Sequence, residues 1–380
     1  MMRQFSTVIL LPPGGLDAHS GLNLAGRTAL EWVQDQAAAA GQDAAILRTG
    51  QASPSEAGEN LLCLDGTRPL LLAQTIETLV ARHLESGAEV TLLLAGDGET
   101  VTAANLCGAC FNSAWLESAA LDLLDLARRA LAADSRVSIA SPLAPVEQLS
   151  MRSLPEIAQC EKELRKRVNG RAMESGVRLI DPDTTYIDAT TTLEPETTVH
   201  PNCHIKGQSR IGRGCEVGPN AIIIDSVLGA SCRVAGATIE RSALDRDVLV
   251  GPYSHVRDGA EIGEAVHIGN YAEIKNSRVG PRTRMHHFGY IGDADVGSDV
   301  NIGAGTITCN FDGVNKHRTI IGDGAFIGSD TMLVAPVSVG ERARTGAGSV
   351  VNRDVPAGGL AVGVPARLRR TATREVDGQS

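Results

Sequence analysis

The stretch LDRDVLVGPYSHVRDGAEIGEAVHIGNYAEI, residues 244–274, places an aliphatic side chain at every sixth position: Leu244, Val250, Val256, Ile262, Ile268 and Ile274. That period fits neither an α-helix nor an alternating strand. It is the signature of a β-solenoid, in which each step buries one aliphatic and turns at small residues. After small phase slips the series resumes at Met285 and Ile291, at Val296 and Ile302, and at Ile321, Ile327, Leu333 and Val339. Glycine often follows, as in Ile262-Gly263, Ile268-Gly269, Ile291-Gly292 and Ile327-Gly328. Upstream, Val199, Ile205, Ile211, Val217 and Ile223 carry the step less regularly. One interruption, Cys309–Thr319, contains Asn310-Phe311-Asp312-Gly313, a strong turn sequence. Interruptions of a solenoid form loops on one face, often the binding face.

Working outward, the chain reads as an α/β domain over residues 1–145, a linker helix over 146–178, a β-helix domain over 179–370 and a disordered tail over 371–380. In the first domain, Thr7–Leu11, Leu61–Asp65 and Glu89–Leu94 are expected strands. Ala29–Ala39, Ala73–Ser86 and Ala114–Leu131 are expected helices. Their alternation favours a mostly parallel, Rossmann-type sheet. In the linker, Leu154, Ile157, Cys160, Leu164, Val168 and Ala172 step by three or four along one face. Lys162, Arg165, Lys166, Arg167 and Arg171 lie off it as a solvated cationic face, and Gly176 is placed to end the helix.

The 380 residues carry a formal net charge of −10, which argues against nucleic-acid binding, so an anionic ligand needs a local basic cluster. Aromatics are only 3% while glycines number 41, which suits a solenoid core of stacked aliphatics. No apolar run has the ~18 residues of a membrane span, and no leader peptide is evident, so a cytoplasmic location is expected. Cys107 and Cys110 form a C-x-x-C without a second pair, and read as two small apolar residues with reduced thiols.

His286 and His287 stand at a phase slip. Histidine serves as a general base near neutral pH with little tuning. Arg257 and Lys275 lie one to three rungs upstream, Tyr290 just downstream, and Asn310 and Lys316 in the interrupting loop. Taken singly each is more readily a solvated side chain. Stacked on successive rungs, the set would make a phosphate site.

The run Arg257…GNYAEIK (269–275)…HFGYIGD (287–293)…VNIGAGTITCNFDG (300–313)…Lys316…IGSD (327–330) closely resembles the acetyltransferase domain of the bifunctional N-acetylglucosamine-1-phosphate uridylyltransferase/glucosamine-1-phosphate N-acetyltransferase family. The resemblance is strong over about 180–367 and weak through the linker. It implies a left-handed β-helix of hexapeptide repeats, assembled as a homotrimer with active sites between subunits. It implies acetyl transfer from acetyl-CoA to glucosamine 1-phosphate, feeding UDP-N-acetylglucosamine synthesis, with no metal required. By the same resemblance His287 is the general base and Glu273 helps hold the amine and base. Arg257, Lys275, Tyr290 and Lys316 bind the sugar phosphate, with Asn301 and Asn310 near the sugar and amine. Ala304, Ser329 and Ala347 lie on the acetyl-CoA side. There Phe311 replaces the usual Tyr. Val364 replaces an Arg that some members carry, and Arg367 is a substitute for its charge.

The first domain departs from the family pattern. The nucleotide loop L-x-x-G-x-G-T-R is represented by Leu11-Pro12-Pro13-Gly14-Gly15-Leu16-Asp17, where proline removes backbone donors and Asp17 replaces Arg. No Lys occurs between Arg3 and Lys162. Gly66-Thr67-Arg68-Pro69 stands for the G-D-x-P whose Asp binds metal, and the uridine-reading segment is missing. Asn23-Leu24-Ala25-Gly26-Arg27 still resembles the family. The expectation is a degenerate uridylyltransferase domain, with a separate uridylyltransferase as partner. Three alternatives stay open: another amino-sugar 1-phosphate such as galactosamine 1-phosphate, a zinc lyase on the same solenoid, and a non-catalytic scaffold or regulatory subunit. The spacing of His255, His267, His286 and His287 disfavours the zinc site.

Overall fold

A computed structural model describes residues 5–11, 22–48, 59–96, 100–112, 115, 121–133 and 135–369. The chain divides into two compact units, Met1–Arg167 and Val168–Ser380.

The first unit holds β1 (Phe5–Leu11), α1 (Ala29–Ala39), β2 (Ala44–Arg48), β3 (Asn60–Asp65), α2 (Ala73–Ser86), β4 (Val90–Leu94), β5 (Leu106–Asn112), α3 (Leu123–Ala132) and β6 (Val137–Ala140). They form a sheet of order β2-β1-β3-β5-β4-β6. β1 runs parallel to β2 and β3, and β4 to β6, while β5 is antiparallel to both its neighbours. β3 and β4 are buried almost throughout, which is why they read as unbroken apolar runs. Thr28 and Glu31 close a reciprocal capping box on α1, and Gly87 in the left-handed region ends α2.

Three expectations need correction here. Where Ala114–Leu131 was expected to be one helix, α3 is Leu123–Ala132, capped by Asp122, which accepts from the Asp125 amide at 2.9 Å; residues 114 and 116–120 lie outside the described residues. Cys107 and Cys110 are buried free thiols, as expected, on β5, a strand additional to those expected; burial pushes the Cys107 thiol up to about 11 and Cys110 well above its ordinary range. The linker helix is α4, Leu154–Glu174, with Ile157, Cys160, Leu164 and Val168 buried, but Leu154 is 70% exposed and leaves the stripe. Arg167 is not merely solvated, since its guanidinium donates to the Leu70 carbonyl at 2.7 Å. The loop 12–17 and the tail 371–380 lie outside the described residues. Among those described, no helix is long and apolar enough to cross a membrane.

The second unit is a parallel β-helix. Its short strands stack into three faces of 12, 10 and 9 strands among the described residues. Face 1 begins at Arg178–Leu179, face 2 at Tyr186–Ile187 and face 3 at Thr192–Leu193. On face 1, Val217 pairs with Val234, Val234 with Val250, Val250 with Ile268 and Ile268 with Met285, so one coil takes 16 to 18 residues. The in-register aliphatics are buried, each worth roughly 1.5–3 kcal/mol relative to exposure.

The phase slip after Ile274 is a five-residue step to Val279, which is buried on face 3. The break near 309 has a different cause. Thr308 takes the inward position on face 2, where its hydroxyl accepts from the Gly292 amide at 2.8 Å. The chain then leaves the coil after Cys309 and returns at Thr319–Ile321 on face 3.

Candidate active site

Strand alternation on face 2 sends every second side chain outward. Arg257 and Lys275 are register partners on adjacent strands, with Val256 and Ile274 buried between them and the adjacent column. His255, Glu273 and Tyr290 form that column. Arg257 donates to Glu273 at 2.9 and 2.6 Å and to Asp258 at 2.6 Å. Lys275 Nζ lies 3.9 Å from the same Asp258 oxygen, and Arg241 binds the other oxygen. Lys316 is the neighbouring cation that acts on Lys275. The close approach of Lys316 and its like charge press the Lys275 ammonium below the ordinary lysine range. Two adjacent ammonium groups beside a guanidinium, on a chain of net charge −10, favour an anion locally.

The inserted loop presents Lys316 through a small antiparallel bridge between Phe311 and Lys316. Asp312 closes its tip. The carboxylate accepts from the amides of Val314 and Asn315 at 2.8 and 2.6 Å and pairs with His317 at 2.7 Å. The Asn315 amide, then His317 and the Val314 amide, hold the Asp312 carboxyl at about 2.

Tyr290 lies across Gly292 on its own strand, and its hydroxyl is 3.4 Å from Asn310 Nδ2. Asn310 is buried and donates to Asp293, which also receives Asn276.

The corner between faces 1 and 2 carries a second column. Phe288 O accepts from the Gly305 amide at 2.7 Å, Ala304 O from Asp330 at 2.6 Å and Ser329 O from Gly348 at 2.8 Å. The register of the preceding strands, Arg284 with Asn301, Asn301 with Phe326 and Phe326 with Arg344, aligns His287, Ala304, Ser329 and Ala347 in four successive coils. His287, Ser329 and Ala347 are exposed and Ala304 is half-buried. Arg367 sits at the end of this column, opposite Val362, which packs over Gly346.

The predicted residues therefore fall into groups. Arg257, Glu273, Lys275, Tyr290, Asn310 and Lys316 meet on face 2. His287, Ala304, Ser329 and Ala347 share the adjoining corner. Asn301 lies on face 1 between Arg284 and Phe326, and Arg367 is on the last strand of that face. Phe311 is 59% exposed on the loop. Glu273 is engaged by Arg257, and among the described residues no hydrogen bond joins it to His287. Sequence reasoning missed Asp258 and Asp293. Both follow the outward column at a corner with positive φ, as Asp225 and Asn276 do, and that recurring Asp or Asn is the signal that could have found them.

The sequence matches the family described as Bacterial transferase hexapeptide (six repeats) at residues 190–225, 244–276 and 318–353. The bifunctional protein GlmU of Pelobacter propionicus is 46% identical over 229 residues, spanning 60% of this chain and 50% of that protein. The bifunctional protein GlmU of Carboxydothermus hydrogenoformans is 36% identical over 360 residues, covering 83% of this chain and 81% of that protein. The chain belongs to the GlmU family. Its second unit is the left-handed β-helix of hexapeptide repeats, and its first is an α/β unit. Among solved structures, the UDP-N-acetylglucosamine O-acyltransferase of Moraxella catarrhalis aligns over 49% of this chain and 72% of its own, at 21% identity and a TM-score of 0.34.

Proposed function

We propose that this chain, as a GlmU-family hexapeptide transferase, moves acetyl from acetyl-CoA to the amine of glucosamine 1-phosphate, giving N-acetylglucosamine 1-phosphate and free CoA. The observation that carries this reading is the convergence of Arg257, Lys275, Lys316, Tyr290 and Asn310 on one face, beside the corner that presents His287. The cations take the sugar phosphate. Tyr290 and Asn310 orient the sugar. His287 accepts the proton of the attacking amine as its lone pair forms the bond to the thioester carbonyl carbon. The C–S bond then breaks, and the departing thiolate takes up a proton. Donors that meet the developing oxyanion and alignment of the two reactants lower the barrier.

Acetyl-CoA lies along the Ala304–Ser329–Ala347 column with Arg367 at its end. Asn301 faces outward on face 1, away from the cation cluster of face 2, so a site using both needs a second copy of the chain. A homotrimer with sites between subunits is the proposed assembly, and the cytoplasm is its proposed location. Sedimentation as a stable monomer would contradict the assembly.

The first unit is proposed to have lost uridylyl transfer. At the end of β3, Asp65 accepts from Arg68 at 3.1 Å, from the Thr67 amide at 3.0 Å and from Arg152 at 3.4 Å. Arg68 is fully buried and also donates to the carbonyls of Ala103, Ala104 and Gln148. A fixed guanidinium beside a fully engaged carboxylate does not fit a divalent metal. A separate uridylyltransferase would then consume the product.

The test is identification of the product. The enzyme is incubated with acetyl-CoA and either glucosamine 1-phosphate or galactosamine 1-phosphate, and the sugar phosphate is weighed by mass spectrometry. Acetylation of the first with little of the second supports the reading. Preference for the second reassigns the sugar, and no acetylation of either rejects it.

A further inference from the structure

The inserted loop carries Asn310 and Lys316, yet it leaves the coil and must be held in place. Asp293 holds it at both ends. Its carboxylate receives the side-chain amide of Asn310, where the loop begins, and its carbonyl accepts the Thr319 amide at 3.2 Å, where the loop ends. The second carboxylate oxygen receives the amide of Asn276, and the Asp293 amide donates to the Lys275 carbonyl at 3.1 Å. Asp293 is thus tied to the strand that bears Lys275 and to the loop that bears Lys316. It is 6% exposed and its backbone has φ 50°, a left-handed conformation that aspartate tolerates better than most residues.

The chemistry of the pair fixes an orientation. A carboxylate offers only acceptors, so Asn310 must turn its NH2 toward Asp293. Its carbonyl oxygen then points the other way. We propose that Asp293 is the positioning residue of the amino-sugar site: it sets the flip of the Asn310 amide, so that an acceptor faces the substrate, and it anchors the loop that brings Lys316 to Lys275. The assignment of the substrate rests on the function proposed above; the anchoring of the loop does not.

The carboxylate is needed because it accepts from two amides at once. In Asp293→Asn only one oxygen remains, and the new NH2 must face one of the two donors. The double variant Asp293→Asn/Asn276→Asp restores the count. The carboxylate now sits at 276 and accepts from position 293, whose remaining oxygen accepts from Asn310.

Two readouts test this. In steady-state acetyl transfer, Asp293→Asn should lose about 10- to 100-fold in kcat/KM for the amino-sugar phosphate, the scale of a displaced positioning group, with the KM for acetyl-CoA unchanged. The double variant should recover most of the loss. In hydrogen–deuterium exchange, amides of the segment 310–319 should exchange faster in the single variant and return to the parent rate in the double variant. Parent-like kinetics and exchange in Asp293→Asn would overturn the proposal. So would a double variant that folds but recovers neither. If the parent enzyme does not acetylate the sugar phosphate, the proposed function fails, and the exchange experiment alone decides whether Asp293 anchors the loop.

Discussion

Tyr290 lies over Gly292 so closely that a Cβ on the glycine would stand 2.1 Å from the phenolic oxygen. The two residues are neighbours on the outward side of one strand, and the second has no side chain so that the first can fold flat. Glycine weakens a strand and marks a place where something approaches closely. Here the approaching group is Tyr290, which the proposed function assigns to the sugar.

Gly292→Ala should therefore displace Tyr290 without disturbing the coil, whose inward residue is Ile291. A displacement of about 1 Å in a positioned group costs up to about 100-fold in rate. The expected result is a fall in kcat/KM for the amino-sugar phosphate with little change in Tm, checked by kinetics beside thermal unfolding.

The pair Lys275 and Lys316 makes a prediction about pH. The closeness and like charge of Lys316 lower the Lys275 pKa, so its proton is lost at a lower pH than from an ordinary lysine. In the folded protein the charged form is disfavoured, and this destabilisation is relieved as pH rises through the lowered pKa. Binding of a phosphate dianion favours the charged form instead. KM for the sugar phosphate should rise on the alkaline side, and Lys316→Ala should move that rise to higher pH. Lys275→Ala should raise KM by about 10- to 100-fold, the loss of a charge-assisted hydrogen bond. An alkaline limb that ignores Lys316 would contradict the coupling.

Much of this is legible in the sequence. The six-residue spacing of Leu244 through Ile274 specifies the β-helix because no other fold buries one aliphatic per six residues. It failed where Thr308 replaced an aliphatic, since a threonine whose hydroxyl is met by Gly292 is invisible to a pattern of apolar residues. The antiparallel β5 was illegible for a different reason. Leu106–Asn112 is buried on both faces, and a short buried run carries no direction. At the site, Arg257 and Lys275 were singled out by counting rungs, and Lys316 by its place in the interrupting loop. Asp258 and Asp293 were not, because a single aspartate at a coil corner reads as turn chemistry until its partners are known. Asn301 was grouped with the sugar site, yet its coil position puts it on face 1.

Asp312 gives the loop its acid tolerance. Its carboxyl titrates at about 2, below the ordinary aspartate value, so its contribution to the loop is complete above the unfolded pKa and is lost only as pH falls toward 2. Asp312→Ala should loosen the presentation of Lys316 and raise KM for the sugar phosphate by roughly 2- to 10-fold, the worth of a few exposed hydrogen bonds. Steady-state kinetics at neutral pH read the change. An unaltered KM would mean that the turn is not what holds Lys316.

The first unit is predicted to release no pyrophosphate from UTP with N-acetylglucosamine 1-phosphate and magnesium. Arg68 occupies the end of β3 with hydrogen bonds to Asp65 and to the carbonyls of Ala103 and Ala104. Pyrophosphate release above the uncatalysed rate would show that this strand end still binds a nucleotide and its metal.

The most direct measurement of the central claim is thiol release from acetyl-CoA in the presence of glucosamine 1-phosphate, for the parent enzyme and for His287→Ala. The account predicts free CoA in step with N-acetylglucosamine 1-phosphate, and a loss of about 10²–10⁴-fold in the variant, the scale of a missing general base. Sugar-dependent CoA release at parent rates in His287→Ala, or none from the parent enzyme, would contradict it.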